Sequence, residues 1–144
     1  MMPGFFLPVA GLKPTLLAIL FFLVADIDPE EAWKYVQYPE VFILDVREFP
    51  EYAEGHIPGA CLMPWNSGEL QTRWRELPRD RVILVYCRSG ARSARAVRFL
   101  NERGFGGLLN LLGGFRSYQD LPGVEVETGP YSKSGSGFED WPLY

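Results

Sequence analysis

A cysteine at the end of a predicted strand is the residue in this sequence best placed to do chemistry. Cys87 directly follows the apolar run at 82–86, and a loop of small and basic residues leads from it into a predicted helix. In open α/β sheets, ligands bind beyond the carboxyl ends of the strands, where loop N–H groups and a helix N-terminus attract anions. The same groups and nearby cations lower the pKa of a thiol. We therefore predict that Cys87 is a catalytic nucleophile.

The loop after the cysteine supplies the rest of the predicted site. Gly90 gives the backbone the freedom to turn, while Arg88 and Arg92 place positive charge there although the 144-residue chain has a net charge of −4. We expect the backbone N–H groups and the arginines to bind and orient an anionic substrate. The predicted substrate-binding residues are Arg88, Ser89, Gly90, Ala91, Arg92 and Ser93.

Three further polar residues stand near predicted strand ends or turns. Asp45 and Arg47 close the apolar run at 41–46, where they either line the same pocket or form a structural ion pair. His56 is the only histidine, and its Gly-His-Ile-Pro-Gly setting favours a structural hydrogen bond over a role as a base. An ionised thiol needs no general base.

The second cysteine, Cys61, lies in an apolar segment without basic neighbours and is predicted to belong to the core. A disulfide between Cys61 and Cys87 is an open alternative, although it would consume the predicted nucleophile. Two cysteines and one histidine are too few for a typical zinc site. We expect neither a metal nor an organic cofactor.

The elements that must position these residues alternate between strands and helices. The runs at 41–46, 82–86 and 108–112 are apolar on both faces, which is typical of buried parallel strands. Helices are predicted at about 29–37, where Asp28 can cap, at 68–77, and at 91–103 with Ala94 and Val97 among its inward residues. This order indicates an α/β domain with a parallel sheet covered on both faces.

The two ends of the chain differ from this domain, which we place at residues 26–130. Lys13 is the only charged side chain in residues 1–25, and the apolar run at 15–25 spans about 16 Å as a helix, against about 30 Å for a bilayer core. A signal peptide, a membrane anchor and a buried helix all remain open, so the predicted location is exported, membrane-anchored or cytoplasmic. Residues 131–144 are expected to form a flexible tail. The acidic total favours no nucleic-acid partner.

Four separated segments together resemble the single-domain rhodanese-like sulfurtransferase family, over roughly residues 27–129. They are DVRE at 45–48, EYAEGHIPGA at 51–60, YCRSGARS at 86–93 and LGGF at 112–115. The resemblance implies a three-layer α/β/α fold with a five-stranded parallel sheet. It also implies that Cys87 alternates between thiolate and persulfide, taking sulfane sulfur from a small anionic donor such as thiosulfate. The acceptor would be cyanide, another thiophile or a protein.

Three other functions use a similar fold or loop. A persulfide carrier or interaction module with little thiosulfate activity needs the same loop and stays open. A cysteine phosphatase or arsenate reductase of the Cys-x5-Arg type would need arginine at the position of Ser93, and here the arginine comes one residue earlier, at Arg92. An inactive interaction domain is disfavoured because Cys87 is present.

Overall fold

The protein contains a parallel sheet of five strands, and the predicted nucleophile lies at the carboxyl ends of these strands. The computed structural model describes residues 23–132. Along the sheet the strands lie in the order β1-β5-β4-β2-β3, and all four pairings are parallel. The strands are β1 (Val24–Ile27), β2 (Phe42–Asp45), β3 (Cys61–Leu62), β4 (Ile83–Tyr86) and β5 (Leu108–Leu111).

Helices cover both faces of this sheet, so the predicted three-layer α/β/α architecture is confirmed. Residues of α3 and α4 pack into one core cluster, and residues of α1, α2 and α5 pack into the other. A 3₁₀ turn at Trp74–Glu76 follows α3. The helices are α1 (Pro29–Val36), α2 (Phe49–Glu54), α3 (Glu69–Arg73), α4 (Ala91–Glu102) and α5 (Gly114–Tyr118).

The central strands bring the predicted site residues together at their carboxyl ends. Every residue of β2, β4 and β5 is buried, because each of these strands is apolar on both sides and lies between two helical layers. Asp45 pairs with Tyr86 in the parallel register of β2 and β4. Cys87 and Val46 therefore leave the sheet side by side, at the carboxyl ends of their strands.

The first strand corrects the expected boundary at residue 25. Val24 and Ala25, assigned above to the leader, belong to β1 and pair with Leu108 and Leu109 of β5. The Leu108 N–H also donates to the Leu23 carbonyl at 2.9 Å. The boundary was misplaced because a short apolar strand cannot be told from the end of an apolar leader. The earlier leader residues lie outside the described part of the chain, and no helix within residues 23–132 is long and apolar enough to cross a membrane.

The expected tail boundary also needs correction. The segment at 127–131, which follows α5, packs against the domain. The backbone of Glu127 forms two hydrogen bonds, of 2.9 and 3.0 Å, with the backbone of His56. Tyr131, predicted to begin the tail, packs edge-on against Tyr52 at 5.4 Å between ring centroids. An isolated aromatic after a proline gives no sequence signal of such packing. The rest of the predicted tail, from residue 133, lies outside the described residues.

The predicted ends of α1 and α4 agree with the structure to within one residue, whereas the α-helix predicted at 68–77 ends at Arg73 and continues as the 3₁₀ turn. Asp28 caps α1 by accepting a hydrogen bond from the Glu31 N–H at 2.8 Å. In α4, however, Ala94 is exposed, and Ala96 is the residue buried beside Val97. The inward face of α4 therefore includes Val97 as predicted, while Ser93 and Ala96 take the place expected for Ala94.

Candidate functional site

The loop after β4 wraps around the sulfur of Cys87. The Gly90 N–H donates to Sγ at 3.0 Å, and the Ser93 Oγ lies 3.4 Å from Sγ. The Ser93 hydroxyl also lies 3.1 Å from the Gly90 carbonyl, so it fastens the loop to the first turn of α4. Gly90 has φ +105°, which only glycine adopts without strain and which turns its N–H toward the sulfur.

These donors decide the ionisation of the thiol. Burial raises the pKa of Cys87, but hydrogen bonds from the Ser93 side chain and from the N–H groups of Ser93, Gly90 and Ser89 outweigh burial and lower it overall. Cys61 is equally buried, at 1% exposure, yet burial raises its pKa to about 11. The thiolate is therefore favoured at Cys87 by the loop, and burial alone would have had the opposite effect.

The tight turn that begins α5 packs against the loop after β4. The Phe115 N–H donates to the Cys87 carbonyl at 2.8 Å, and the Arg116 N–H donates to the Arg88 carbonyl at 3.1 Å. Gly114 has φ +62°, and a Cβ at this position would overlap the carbonyl group of Arg88. Gly114 is thus required for the close approach of the two segments.

Arg92, predicted to bind substrate, is held by a carboxylate that sequence reasoning did not assign to the site. Both of its terminal nitrogens donate to Glu51 of α2, at 2.7 Å each. The hydrogen bond with Arg92 lowers the pKa of Glu51 to about 2, against a smaller opposing effect of burial. The role of Arg92 toward a substrate remains a prediction, and its visible role is to join the loop to α2.

Asp45 and Arg47 form the ion pair that was one of the two alternatives raised from the sequence, and a role toward a substrate remains a prediction. Two Asp45 oxygens accept from Arg47, with a shortest distance of 2.7 Å, and both side chains are at most 4% exposed. Arg47 also donates to the Gly55 carbonyl at 2.7 Å, and its guanidinium lies 4.5 Å from the centre of the Phe115 ring. Burial alone would lower the pKa of Arg47, but the hydrogen bond with Asp45 raises it. One edge of this ion pair faces a cavity.

That cavity lies beside the loop and has a volume of about 250 Å³. Its Arg116 was not identified from the sequence, although it directly follows the Gly-Gly-Phe segment. Cys87 does not line the cavity, but the next residue in the chain, Arg88, does. The lining residues are Arg47, Glu51, Glu54, Gly55, Arg88, Phe115, Arg116 and Gln119.

The remaining predicted residues divide between the rim of the site and the core. Arg88, Ser89 and Ala91 are exposed at the rim of the loop. His56 is structural: its Nδ1 donates to the Tyr52 carbonyl at 2.7 Å, and its ring stacks on Tyr52 at 3.5 Å. Cys61 is free, as is Cys87, so the alternative of a disulfide is not realised. Among residues 23–132, no group of three or more potential ligand side chains could hold a metal ion.

The family follows from comparison with known proteins. The model of the rhodanese-like domain matches residues 28–121. The chain belongs to the rhodanese family. A solved rhodanese-related protein from Thermoplasma volcanium superposes with a TM-score of 0.64 at 31% identity, covering 72% of this chain and 98% of that one.

Curated relatives of this rhodanese chain include transferases and a carrier. A sulfurtransferase of Allochromatium vinosum is 39% identical over 108 residues, which cover 73% of this chain and 99% of the relative. The thiosulfate sulfurtransferase GlpE of Coxiella burnetii is 33% identical, over 62% of this chain and 81% of GlpE. The putative sulfur carrier protein YrkF of Bacillus subtilis is 41% identical over 53% of this chain but only 40% of its own length.

Proposed function

We propose that this rhodanese-family chain transfers sulfane sulfur through a persulfide on Cys87. The observation that carries the proposal is the ring of donors around Sγ, in which Gly90 and Ser93 lie 3.0 and 3.4 Å away and lower the thiol pKa. Donors that stabilise a thiolate also stabilise the anionic outer sulfur of a persulfide. Similarity to a sulfurtransferase over nearly its whole length supports the same reaction.

In the first step, the Cys87 thiolate attacks the outer sulfur of a donor such as thiosulfate. A bond forms between Sγ and that sulfur, the sulfur–sulfur bond of thiosulfate breaks, and its electron pair leaves with sulfite. The total charge of −3 is conserved, as −1 on the persulfide and −2 on sulfite. The loop N–H groups receive the transferred charge, and exposed Arg88 attracts the donor.

In the second step, a thiophile removes the outer sulfur. With cyanide, a carbon–sulfur bond forms, the bond to Sγ breaks, and its electron pair restores the Cys87 thiolate as thiocyanate leaves. Neither step needs a proton from the protein. Both ring nitrogens of His56 have structural partners, the Tyr52 carbonyl and the Glu127 carboxylate at 3.5 Å. This agrees with a mechanism in which His56 transfers no proton.

The position of the arginine in the loop disfavours a phosphoryl group as the group that Cys87 transfers. A Cys-x5-Arg phosphatase places its arginine six residues after the cysteine, and that position holds Ser93, fully buried against the sulfur. The nearest loop arginine, Arg92, is bound to Glu51. A tetrahedral phosphoryl group would therefore lack its arginine clamp.

Mass spectrometry after thiosulfate treatment tests the proposal. We expect Cys87 to gain the mass of one sulfur atom, and we expect cyanide to remove it. Cys87→Ser should gain nothing, whereas the matched variant Cys61→Ser should still be loaded, because Cys61 lies in the core with a raised pKa. Intact wild-type protein that stays unmodified with thiosulfate and with a low-molecular-weight persulfide would refute the sulfurtransferase function.

A second candidate function is that of a persulfide carrier, and the similarity to YrkF favours it specifically. Comparison of single-turnover loading with steady-state thiosulfate:cyanide turnover separates the two. An enzyme acting on thiosulfate turns over many times with small substrates. A carrier is loaded at Cys87 but turns over slowly until its protein partner is added.

A further inference from the structure

Apart from Arg88, the residues that line the cavity beside the loop have no part in the persulfide chemistry described above. The cavity volume of about 250 Å³ lies near the lower end of small-molecule sites, which begin at roughly 300 Å³. Its wall is joined to the loop, because the Phe115 and Arg116 N–H groups donate to the carbonyl groups of Cys87 and Arg88. A molecule bound there would lie next to the segment that carries the persulfide.

Two of the charges on the cavity wall are already neutralised. Arg47 is bound to buried Asp45 at 2.7 Å. Glu51 is bound to Arg92 through two hydrogen bonds of 2.7 Å. These pairs shape the cavity, but they leave little charge for a ligand.

The remaining charges favour an anion. Arg88 and Arg116 line the cavity, and neither forms an ion pair with a side chain among residues 23–132. Among the lining residues, Glu54 is the one carboxylate without an ion pair to another described residue, so the two guanidinium groups outnumber it. Gln119 adds an amide that can donate a hydrogen bond. Guanidinium groups bind carboxylates in a two-point geometry, which gives direction as well as attraction.

We propose that this cavity binds the carboxylate of a small organic thiol that accepts sulfur, and that Arg116 selects for that carboxylate. The inference rests on the proposed function. The acceptor thiol attacks the outer sulfur of the persulfide, a new sulfur–sulfur bond forms, and the bond to Sγ breaks. Its electron pair restores the Cys87 thiolate, the thiol proton passes to the transferred sulfur, and the product is the persulfide of the acceptor.

The apolar part of the wall suits the carbon chain of such an acceptor. Phe115 lines the cavity together with the arginine side chains and is only 6% exposed. An inorganic anion would use the charges but not this ring. A cationic thiol would meet two unpaired arginines, and its binding would be opposed by like charge.

Binding of succinate, which has carboxylates but no thiol, tests the site without sulfur transfer. In an NMR titration of the full chain, we expect the backbone N–H signals of Arg88 and Arg116 to shift. Arg116→Gln should weaken the Kd about 3- to 10-fold, as for loss of one partly exposed charged contact. The matched variant Arg98→Gln changes an exposed arginine of α4 outside the cavity and should leave the Kd unchanged. Equal effects of both variants, or no shifts, would overturn the site.

Acceptor selectivity tests the role in transfer. With one sulfur donor, we expect Arg116→Gln to lower the ratio of kcat/KM for 3-mercaptopropionate to that for 2-mercaptoethanol about 3- to 10-fold. A variant that is merely destabilised would affect both acceptors alike. An unchanged ratio overturns the acceptor role alone. Failure of Cys87 to gain sulfur would instead refute the proposed function, while the succinate titration still decides whether the anion site exists.

Discussion

Ser93 does more at the residue scale than its small size suggests, because its hydroxyl contacts both the sulfur and the loop backbone. The Oγ lies 3.4 Å from Sγ and 3.1 Å from the Gly90 carbonyl. It is also the largest of the contributions that lower the thiol pKa. The position that a phosphatase would give to arginine is therefore used here to stabilise a thiolate.

Ser93→Ala should raise the pKa of Cys87, since it removes a donor that stabilises the charged form. The smaller thiolate fraction should slow alkylation of Cys87 by iodoacetamide at neutral pH. The measurement is the pH profile of Cys87 alkylation, followed by mass spectrometry. Ser89→Ala serves as the control, because Ser89 is exposed and contributes its backbone N–H to the site. A profile that is identical in Ser93→Ala and wild type would contradict this role.

The Glu51–Arg92 pair links stability to pH. The pKa of Glu51 is lowered from 4.5 to about 2 in the folded protein, so its ionised form favours folding. This contribution is fully present above about pH 5 and disappears as the pH falls toward 2. Allowing for partial exposure of both side chains, Glu51→Gln should reduce the free energy of unfolding by about 1–2 kcal/mol at pH 7.

Denaturant unfolding of wild type and Glu51→Gln across this pH range measures the effect. The difference in the free energy of unfolding should narrow steadily between pH 5 and pH 2. The exposed Glu54→Gln, on the same helix, provides the comparison. A difference that does not depend on pH would show that the substitution acts through packing.

At the scale of elements, the turn before α5 and the loop before α4 are built as one unit. The Gly114 backbone passes so close to Arg88 that no side chain fits between them. Gly114→Ala should displace the loop, lower the free energy of unfolding by about 2–4 kcal/mol and raise the pKa of Cys87.

Gly123→Ala is the matched control for this substitution. Gly123 also has positive φ, at +81°, but a Cβ there would meet nothing within 4 Å. It should therefore show only the backbone strain of about 1–2 kcal/mol and leave the alkylation of Cys87 unchanged. Equal destabilisation by the two variants, measured by denaturant unfolding, would mean that strain alone explains Gly114.

How much of these elements the sequence predicts depends on how local each signal is. The position of the segment from Cys87 to Ser93, between a buried strand and a helix, agrees with the prediction because the signal is contiguous in sequence, while the binding role of its residues remains a prediction. The sequence does not predict that Glu51 belongs to the site, because its partner Arg92 is 41 residues away and charge pairing at that separation depends on how α2 packs. The same holds for Arg116, since only the fold shows that α5 lies beside the loop.

For the whole molecule, the N-terminal strand matters more than its sequence suggests. β1 is an edge strand whose residues pair with β5, and β5 in turn supports β4 and the site. Cleavage after Ala25 would remove half of β1. A chain that begins at Asp26 should be less stable than one that begins at Leu23, by about 1–2 kcal/mol, because Leu108 and Leu109 lose their backbone partners.

Guanidinium unfolding of these two shortened chains and the full chain gives the comparison. The chain that begins at Leu23 keeps the hydrogen bond from the Leu108 N–H and serves as the reference for loss of the preceding residues alone. Equal stability of the two shortened chains would show that the first half of β1 contributes nothing to the domain.

The arrangement of the strands also decides whether the two cysteines can form a disulfide under oxidising conditions. Cys61 is in β3, Cys87 follows β4, and β2 lies between these strands. Two strand spacings amount to about 9.5 Å, beyond the roughly 7 Å that a disulfide can bridge between Cα atoms. The chain has no third cysteine. When peroxide converts Cys87 to a sulfenic acid, Cys61 therefore cannot trap it as a disulfide, and a thiol on another molecule can do so before further oxidation makes the damage permanent.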